Sequence, residues 1–301
     1  MRQKSICVFG EVLFDQFPDG HAVLGGAPFN VAWHLNAFGE QPYFKSAVGD
    51  DARGSQIRAA MRDWGMDLRG LDTDPDHPTG EVTITLIDGE PTYDIVPGRA
   101  YDHIQPPRSG LSCDFLYHGT LALRGPVSAL TLEAIKIGVP ERVFLDVNLR
   151  DPWWSLEQVL ALVDNADWVK LNRDELDLLS GAGGSQTQGD LQARASTFVE
   201  THGLQGLILT LGAKGALGLT AAAPPVTVAP PTDIQVVDVV GAGDAFAAVS
   251  ILGIRRSWPL GTTLERAQSF AARVVGQRGA TAADPSLYKP FIDQWGLERE
   301  S

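Results

Sequence analysis

Apolar residues along the chain fall into two patterns, short continuous runs and longer segments with a helical period. Short runs bounded by turn residues indicate strands, whereas apolar positions three and four residues apart indicate helices. In the first quarter of the chain these patterns predict a strand at 5–9, a helix at 28–38, a strand at 42–47 and a helix at 53–64. The stretches 11–24 and 80–96 each hold two short apolar segments around a glycine-containing turn, which predicts a β-hairpin in each.

From about residue 110 the predicted strands and helices alternate. The strands are expected near 114–118, 143–147, 167–171 and 206–210, with helices at 126–137, 155–164, 173–180 and 190–202. A late β meander over 215–220, 225–229 and 233–238 is followed by helices at 244–253, 262–276 and 285–294. Strand–helix alternation predicts an α/β fold with a mainly parallel sheet and helices on both faces. The two early hairpins do not belong to this alternation, and we expect them to pack together as a small β lid.

Composition narrows the class of protein. The chain has 301 residues and a net charge of −13, which argues against a nucleic-acid partner because such proteins normally carry a basic surface. No apolar run is long enough to span a membrane, and the first run is too short for a signal peptide. We therefore expect a cytoplasmic protein without a membrane partner. The two cysteines, Cys7 and Cys113, lie in apolar runs and are expected to be buried free thiols.

The most informative stretch is Asp-Val-Val-Gly-Ala-Gly-Asp-Ala-Phe at 238–246, between a valine-rich segment and an alanine-rich helix. Its Gly-Ala-Gly turn, Gly241 to Gly243, should present backbone N–H groups at a helix N-terminus, where anions are favoured. Asp244 would lie beside this anion site, able to accept a proton from an attacking hydroxyl. The bland alternative is a glycine-rich turn in which Asp244 only caps the helix.

Two more segments follow predicted strands and could contact phosphates. Thr210 ends a strand and begins Thr-Leu-Gly-Ala-Lys-Gly, a tight turn whose amides could hold phosphate oxygens, with Lys214 adding positive charge. It does not match a Walker A loop, and a plain hairpin turn is the alternative. Asn172 and Glu175 share the first turn of a helix and could approach a magnesium–phosphate group, although the same pair forms a capping box.

Near the start of the chain, Gly-Glu-Val-Leu-Phe-Asp at 10–15 and Gly-Gly-Ala-Pro-Phe-Asn at 25–30 group short acceptors and amides. Such groups suit a polyhydroxylated ligand, which needs many directional hydrogen bonds, although each motif could equally be a turn or a cap. The tract Asp-Val-Asn-Leu-Arg at 146–150 alternates polar and apolar residues after a strand, so its polar side chains are expected to share one face at the ligand-binding edge of the sheet.

Together and in this order, these motifs resemble the PfkB, or ribokinase-like, family of carbohydrate kinases, from Gly10 to about Ala280. The resemblance implies one Rossmann-like, ribokinase-like domain over 1–301, with the β lid formed by about 11–24 and 80–96 inserted in it. It also implies ATP and Mg²⁺, with K⁺ as a further activator. Because the lid has exposed strand edges and an apolar face, we expect a homodimer formed through it.

Carried over by position, the resemblance makes Asp244 the catalytic base and Gly241, Ala242 and Gly243 the anion hole. The residues along the nucleotide and its metal would be Asn172, Glu175, Thr210, Gly212, Lys214 and Gly215. The sugar would be held by Asp15, Gly26 and Asn30. Asp238 and the carbonyl of Val240 would bind the monovalent cation, together with the loop at 277–279.

Two departures bear on the cation: Val239 and Ala283 stand where the family usually has a residue with a side-chain oxygen. The motifs at 25–30 and 146–150 look most similar to fructokinases, so transfer of the ATP γ-phosphoryl group to a primary hydroxyl of D-fructose is the first hypothesis. Alternatives are a 2-keto-3-deoxygluconate kinase, another sugar or nucleoside kinase of the family, and a non-catalytic sugar or nucleotide sensor. A nicotinamide oxidoreductase is disfavoured because no Gly-x-Gly-x-x-Gly follows the first strand.

Overall fold

The computed structural model describes residues 6–87, 90–107, 111, 113–138, 141–181, 188–232 and 235–297. The strands are, in chain order, β1 (Ile6–Phe9), β2 (Leu13–Gln16), β3 (Ala22–Gly25), β4 (Tyr43–Gly49), β5 (Leu71–Asp74), β6 (Gly80–Ile87), β7 (Glu90–Ile95), β8 (Phe115–His118), β9 (Arg142–Asp146), β10 (Trp168–Asn172), β11 (Gly206–Thr210), β12 (Ala216–Thr220) and β13 (Ala223–Val228). The α-helices are α1 (Ala27–Ala37), α2 (Ala52–Asp63), α3 (Pro126–Gly138), α4 (Leu156–Val163), α5 (Arg173–Ser180), α6 (Gln188–His202), α7 (Ala242–Arg255), α8 (Leu260–Val274) and α9 (Pro285–Trp295).

The chain divides into two compact units. The first comprises Met1–Leu116, Ala122–Pro140 and Gly279–Ser301, and the second comprises Tyr117–Leu121 and Glu141–Arg278. In the first unit β1, β4 and β5 are parallel neighbours, with α1 packed on β1 and α2 on β4. The predicted single domain with an inserted lid remains a prediction.

The first unit also contains a separate four-stranded sheet in the order β3-β2-β6-β7. The antiparallel pairs β2–β3 and β6–β7 confirm both predicted hairpins, and β2 pairs with β6 in parallel. The turn residues 88 and 89 of the second hairpin lie outside the described residues. Whether this sheet closes over a substrate, or pairs with a second copy of the chain, remains a prediction.

The second unit is built on β9, β10 and β11, which are parallel neighbours, extended by the antiparallel strands β12 and β13. An apolar cluster fills the space between these strands and α4, α5 and α6, and its members include Leu145, Val169 and Leu207. On the other side, α8 packs on β12 and β13 and against α7. The mainly parallel sheet flanked by helices is the predicted α/β architecture.

Two local predictions were wrong. Strand β5 was missed because Leu71–Asp74 has a single apolar residue and lacks the pattern of a buried strand. The third strand of the late meander does not form in 235–238, and residues 233 and 234 lie outside the described range. Instead the N–H groups of Val237 and Asp238 both donate to the carbonyl of Val275, at 2.8 and 3.1 Å, which leaves the valine side chains exposed.

No α-helix in the described part of the chain is both long enough and apolar enough to cross a bilayer.

The C-terminal helix of the first unit is joined to α1 through a buried histidine. His34 is fully buried, and its Nδ1 lies 3.0 Å from the Tyr288 hydroxyl on α9. The neighbouring Trp33 donates its indole N–H to the carbonyl of Ala282 at 3.1 Å. Because a charged imidazole is poorly solvated here, burial lowers the pKa of His34 from 6.5 to about 3.

This pKa shift predicts an acid-sensitive contribution to stability. Since the folded pKa lies below the unfolded value, protonation favours the unfolded chain once the pH falls below about 6.5. The free energy of unfolding should then decrease by roughly 1.4 kcal/mol per pH unit because of this one group. His34→Gln should lose that pH dependence, as measured by urea unfolding at pH 7, 6 and 5.

The matched control is His21→Gln, because His21 is exposed at the turn between β2 and β3. This variant should keep the pH dependence of the wild-type protein. A constant difference in unfolding free energy between wild type and His34→Gln across the three pH values would contradict the argument.

Candidate active site

The carboxyl ends of β10 and β11 form one edge of the second unit. Asn172 and Thr210, the last residues of these two parallel strands, lie opposite each other in register. Beyond them is a cavity of about 250 Å³. It is lined by Asn172, Arg173, Asp174, Thr210, Leu211, Gly212 and Lys214. Four residues that the sequence assigned to the nucleotide thus share one cavity at the edge where parallel sheets bind ligands.

Asn172 and Glu175 form the capping box that the sequence left open as an alternative. The Asn172 side chain accepts from Glu175 N at 2.9 Å, and Glu175 Oε2 accepts from Asn172 N at 2.8 Å. Glu175 Oε1 accepts from Leu149 N at 3.0 Å, so both carboxylate oxygens are held by backbone amides. Burial outweighs these bonds and raises the pKa of Glu175. A metal ion would therefore meet this carboxylate more readily through water than directly.

The turn after β11 is closed by backbone bonds. Leu211 N donates to Gly215 O at 2.8 Å, and Gly215 N donates to Gly212 O at 3.1 Å. Gly212 and Lys214 are exposed, whereas Gly215 is buried with a φ of +91°. The hairpin alternative and the phosphate-contact hypothesis are thus compatible, because the turn leads from β11 into β12 and borders the cavity.

The Gly-Ala-Gly turn begins α7. Gly241 is the N-cap, with a φ of +79° that favours glycine, and its carbonyl accepts the first helical bond from Ala245 N at 2.9 Å. The N–H groups of Ala242, Gly243 and Asp244 precede this bond, so they lie at the helix end that attracts anions. Asp244 is in the first turn, half-buried, and Gly243 is exposed.

The segment before this turn is held by Asp238. Its carboxylate accepts from Val240 N at 3.0 Å, and its backbone is bonded to Val275. Segment 235–238 therefore lies against the end of α8, two residues before the loop at 277–279. The pairing brings together the segments expected to bind a monovalent cation, but the ligand roles of Asp238 and Val240 remain predictions.

A buried ion pair that we did not assign from the sequence lies beneath the α7 N-terminus. Lys170, in the middle of β10, places its ammonium 2.7 and 2.9 Å from the two oxygens of Asp146 at the end of β9. Tyr117 donates its hydroxyl to the same carboxylate at 3.2 Å. A Cβ built on Gly243 would lie 3.6 Å from Lys170 Nζ, so the ammonium borders the predicted anion site.

The polar residues at 146–150 were expected to share one face, and this expectation was wrong. Strand β9 ends at Asp146, and Asn148 has a φ of +38°, outside the extended region that alternation requires. Asp146 is buried, Asn148 is half-buried and Arg150 is exposed. The signal that could have found the ion pair is a lysine in the middle of β10 and an aspartate at the end of β9, each next to buried apolar residues.

The residues assigned to the sugar lie in the first unit, near the junction of β3 and α1. Gly26 is the N-cap of α1 with a φ of +108°, and a Cβ there would lie 2.8 Å from Glu11 O. Asn30, buried one turn later, donates its backbone N–H to Gly26 O at 2.9 Å. The Asp15 carboxylate would be 3.4 Å from a Cβ at Gly25. The structure thus gathers Asp15, Gly26 and Asn30 locally, and their contact with a sugar remains a prediction.

The family profile described as pfkB family carbohydrate kinase matches residues 3–287. This match covers most of the chain. The protein belongs to the pfkB family of carbohydrate kinases. The predicted family is therefore confirmed.

Among curated relatives, this pfkB kinase is 28% identical over 258 residues to a fructokinase of Rhizobium leguminosarum bv. trifolii, covering 79% of the chain and 76% of the relative. It is 30% identical over 312 residues to an aminoimidazole riboside kinase of Salmonella typhimurium, covering 97% and 93%. Among solved structures, Vibrio cholerae O395 fructokinase in a form with fructose, ADP and calcium bound superposes with a TM-score of 0.78 at 25% identity, covering 95% and 98%. The ribokinase-like fold is confirmed, and relatives with two different substrates are comparably similar.

The turn after β11 provides a stability test of the site's framework. A Cβ at Gly215 would lie 1.9 Å from Val228 O, a backbone atom that cannot move without opening the β12–β13 pairing. Gly215→Ala should therefore reduce the free energy of unfolding by about 2 kcal/mol or more. Urea unfolding followed by circular dichroism measures the change.

Gly212→Ala is the matched control in the same turn. Gly212 has a φ of +57°, but no heavy atom lies within 4 Å of its Cβ position, so only the backbone cost of about 1 kcal/mol is expected. Equal destabilisation by the two substitutions would mean that the close approach to Val228 does not constrain the turn.

Proposed function

We propose that this pfkB kinase transfers the γ-phosphoryl group of ATP to a primary hydroxyl of D-fructose. The observation that carries the proposal is the Gly241–Gly243 turn at the N-terminus of α7 with Asp244 in the first turn. An anion site next to a carboxylate base serves phosphoryl transfer, whereas a binding protein has no use for the base. Relatives named fructokinase, from Rhizobium and from Escherichia coli, support D-fructose as the substrate.

In the proposed mechanism, the nucleotide phosphates are held by the Thr210–Gly215 turn, by Asn172 and by the ammonium of Lys214. The sugar is held by Asp15, Gly26 and Asn30. Asp244 accepts the proton of the attacking hydroxyl, and the amides of Gly241, Ala242 and Gly243 stabilise charge on the transferred group. The helix N-terminus also favours the ionised form of a carboxylate in its first turn.

Mg²⁺ would neutralise charge on the phosphates, and it would reach Glu175 through water because backbone amides occupy both oxygens of that carboxylate. A monovalent cation held by Asp238 and the Val240 carbonyl would stiffen the turn before α7 and leave the chemistry unchanged. The homodimer formed through the small sheet and the cytoplasmic location are further parts of the proposal.

A second candidate is phosphorylation of a riboside. It is supported by the relative named aminoimidazole riboside kinase, which is matched over 97% of this chain at 30% identity. Both candidate functions would use the same phosphate-binding residues and the same phosphoryl transfer from ATP. Only the acceptor molecule distinguishes them.

The substrate assignment is tested by ATP consumption with Mg²⁺ across a panel of acceptors. The panel contains D-fructose, aldohexoses, 2-keto-3-deoxygluconate, adenosine and aminoimidazole riboside. We expect the highest kcat/KM with D-fructose. A higher kcat/KM with a riboside or with the keto acid would replace fructose by that acceptor, and no turnover with any of them would reject the kinase assignment.

The assignment of the base is tested with Asp244→Asn. Loss of a positioned base should lower kcat by roughly 10²- to 10⁴-fold, while the Kd for ATP changes little because the backbone amides remain. Coupled assay of turnover and calorimetric titration with ATP measure the two effects. Glu157→Gln is the control, since this exposed carboxylate also lies in the first turn of a helix, α4, and does not line the cavity. A near wild-type kcat in Asp244→Asn would remove Asp244 from the mechanism.

A further inference from the structure

The buried ammonium of Lys170 lies beside the N-terminus of α7, and only two of its three N–H donors have an acceptor among the described residues. We propose that Lys170 is a catalytic residue that donates a hydrogen bond to a non-bridging oxygen of the transferring phosphoryl group. The role rests on the proposed function, because it needs a phosphoryl group to be transferred next to Gly243.

The first support is the hydrogen-bond capacity of the ammonium. A lysine ammonium has three N–H donors, and Asp146 accepts two of them, at 2.7 and 2.9 Å. Among the residues that the structure describes, no second acceptor lies within hydrogen-bond distance of this nitrogen. Lys170 is only 7% exposed, so water has little access to the third donor. A buried donor without a partner is costly, and an incoming oxygen would satisfy it.

The second support is position. Gly243 has no side chain, and an atom in place of its Cβ would lie 3.6 Å from Lys170 Nζ. The missing side chain therefore leaves space between the ammonium and the N–H groups at the N-terminus of α7. An oxygen bound by those amides could approach the ammonium from the same side.

The third support is the charge state. Burial alone would lower the pKa of Lys170, but the neighbouring Asp146 carboxylate outweighs burial and raises it, and the charge of Asp244 acts in the same direction. The ammonium thus stays charged at neutral pH. Because Asp146 balances its charge in the resting enzyme, the pair is stable before a phosphate arrives.

In the reaction, the acceptor hydroxyl oxygen forms a bond to the γ-phosphorus, and the bond from that phosphorus to the bridging oxygen breaks with its electron pair remaining on ADP. The hydroxyl proton goes to Asp244. Lys170 transfers no proton; it only offsets charge on the phosphoryl oxygens. Charge-assisted donors of this kind act most strongly where water is excluded.

The test removes the pair without leaving an unpaired buried charge. The double variant Lys170→Met/Asp146→Asn should lower kcat with the best acceptor of the wild-type enzyme by roughly 10²- to 10³-fold, the usual effect of losing one such donor. The KM values for acceptor and ATP should change less than threefold. A fall in affinity with unchanged kcat would overturn the catalytic role, and so would wild-type kinetics.

The chain provides a matched control in the first unit. Lys45 on β4 is also buried and forms an ion pair with Asp72 on β5, which is partly exposed. Lys45→Met/Asp72→Asn should lose stability to a similar degree but keep kcat within threefold. Equal losses of kcat in both double variants would assign Lys170 a purely structural role. A wild-type protein that phosphorylates no acceptor would instead reject the proposed function itself.

A measurement on the wild-type protein avoids the question of whether the variants fold. The ¹⁵N resonance of the Lys170 ammonium should shift when ADP, aluminium fluoride and the sugar together mimic the transferring phosphoryl group, and shift much less with ADP alone. The resonance of Lys45 should stay in place. An unchanged Lys170 resonance in the complete complex would contradict the proposal.

Discussion

The candidate site depends on a buried ion pair between two neighbouring parallel strands. Lys170 and Asp146 are directly paired in the β9–β10 register, and each is less than 10% exposed. Neither charge could be buried alone, since an unpaired charge in the interior costs several kcal/mol. If one strand shifted by one residue relative to the other, the two side chains would lie on opposite faces of the sheet and could not pair. The ion pair therefore specifies the register of these strands. In the next pairing, between β10 and β11, Asn172 lies opposite Thr210 at the edge of the cavity.

The N-terminus of α7 adds the second requirement, which is backbone conformation. Gly241 needs a positive φ to start the helix, and Gly243 lies where a side chain would fill the space beside Lys170. Asp238 holds the preceding turn through Val240 N, and the carbonyl of Val275 holds the segment before it. The amides proposed to bind an anion are therefore fixed in place before any ligand arrives, which is what stabilisation of a developing charge requires.

Much of the fold follows from patterns within single segments. In strands such as Gly206–Thr210 and helices such as Arg173–Ser180, the pattern of apolar residues and the flanking turn or cap residues are enough to predict the element and its ends. Strand β5 could not be predicted in this way, since three of the four residues of Leu71–Asp74 are polar and the segment becomes a strand by pairing with β4. For segment 235–238 the error was the opposite, a strand predicted where none forms. Its valines have strand propensity, but their backbone partner is the end of α8.

The candidate site, like the fold, could be predicted only where a single segment carries the signal. Glycine-rich turns and the Asn172–Glu175 pair carry local signals, and the structure gives them the expected positions after β10 and before α7. Lys170 carries no local signal of function, because its meaning depends on Asp146 in another strand and Gly243 in a distant turn. For the same reason, the acceptor sugar is a hypothesis that the motifs and relatives support, and its pocket cannot be derived from one segment.

The central claim is that the turn after β11 and the N-terminus of α7 bind the nucleotide phosphates. Hydrogen exchange of the backbone amides, measured for each segment of the chain with and without saturating ADP and Mg²⁺, tests it directly. The account predicts slower exchange of the amides at 212–215 and 242–244, with no change in the β4 segment 43–49. Nucleotide binding that leaves exchange at both 212–215 and 242–244 unchanged would contradict it.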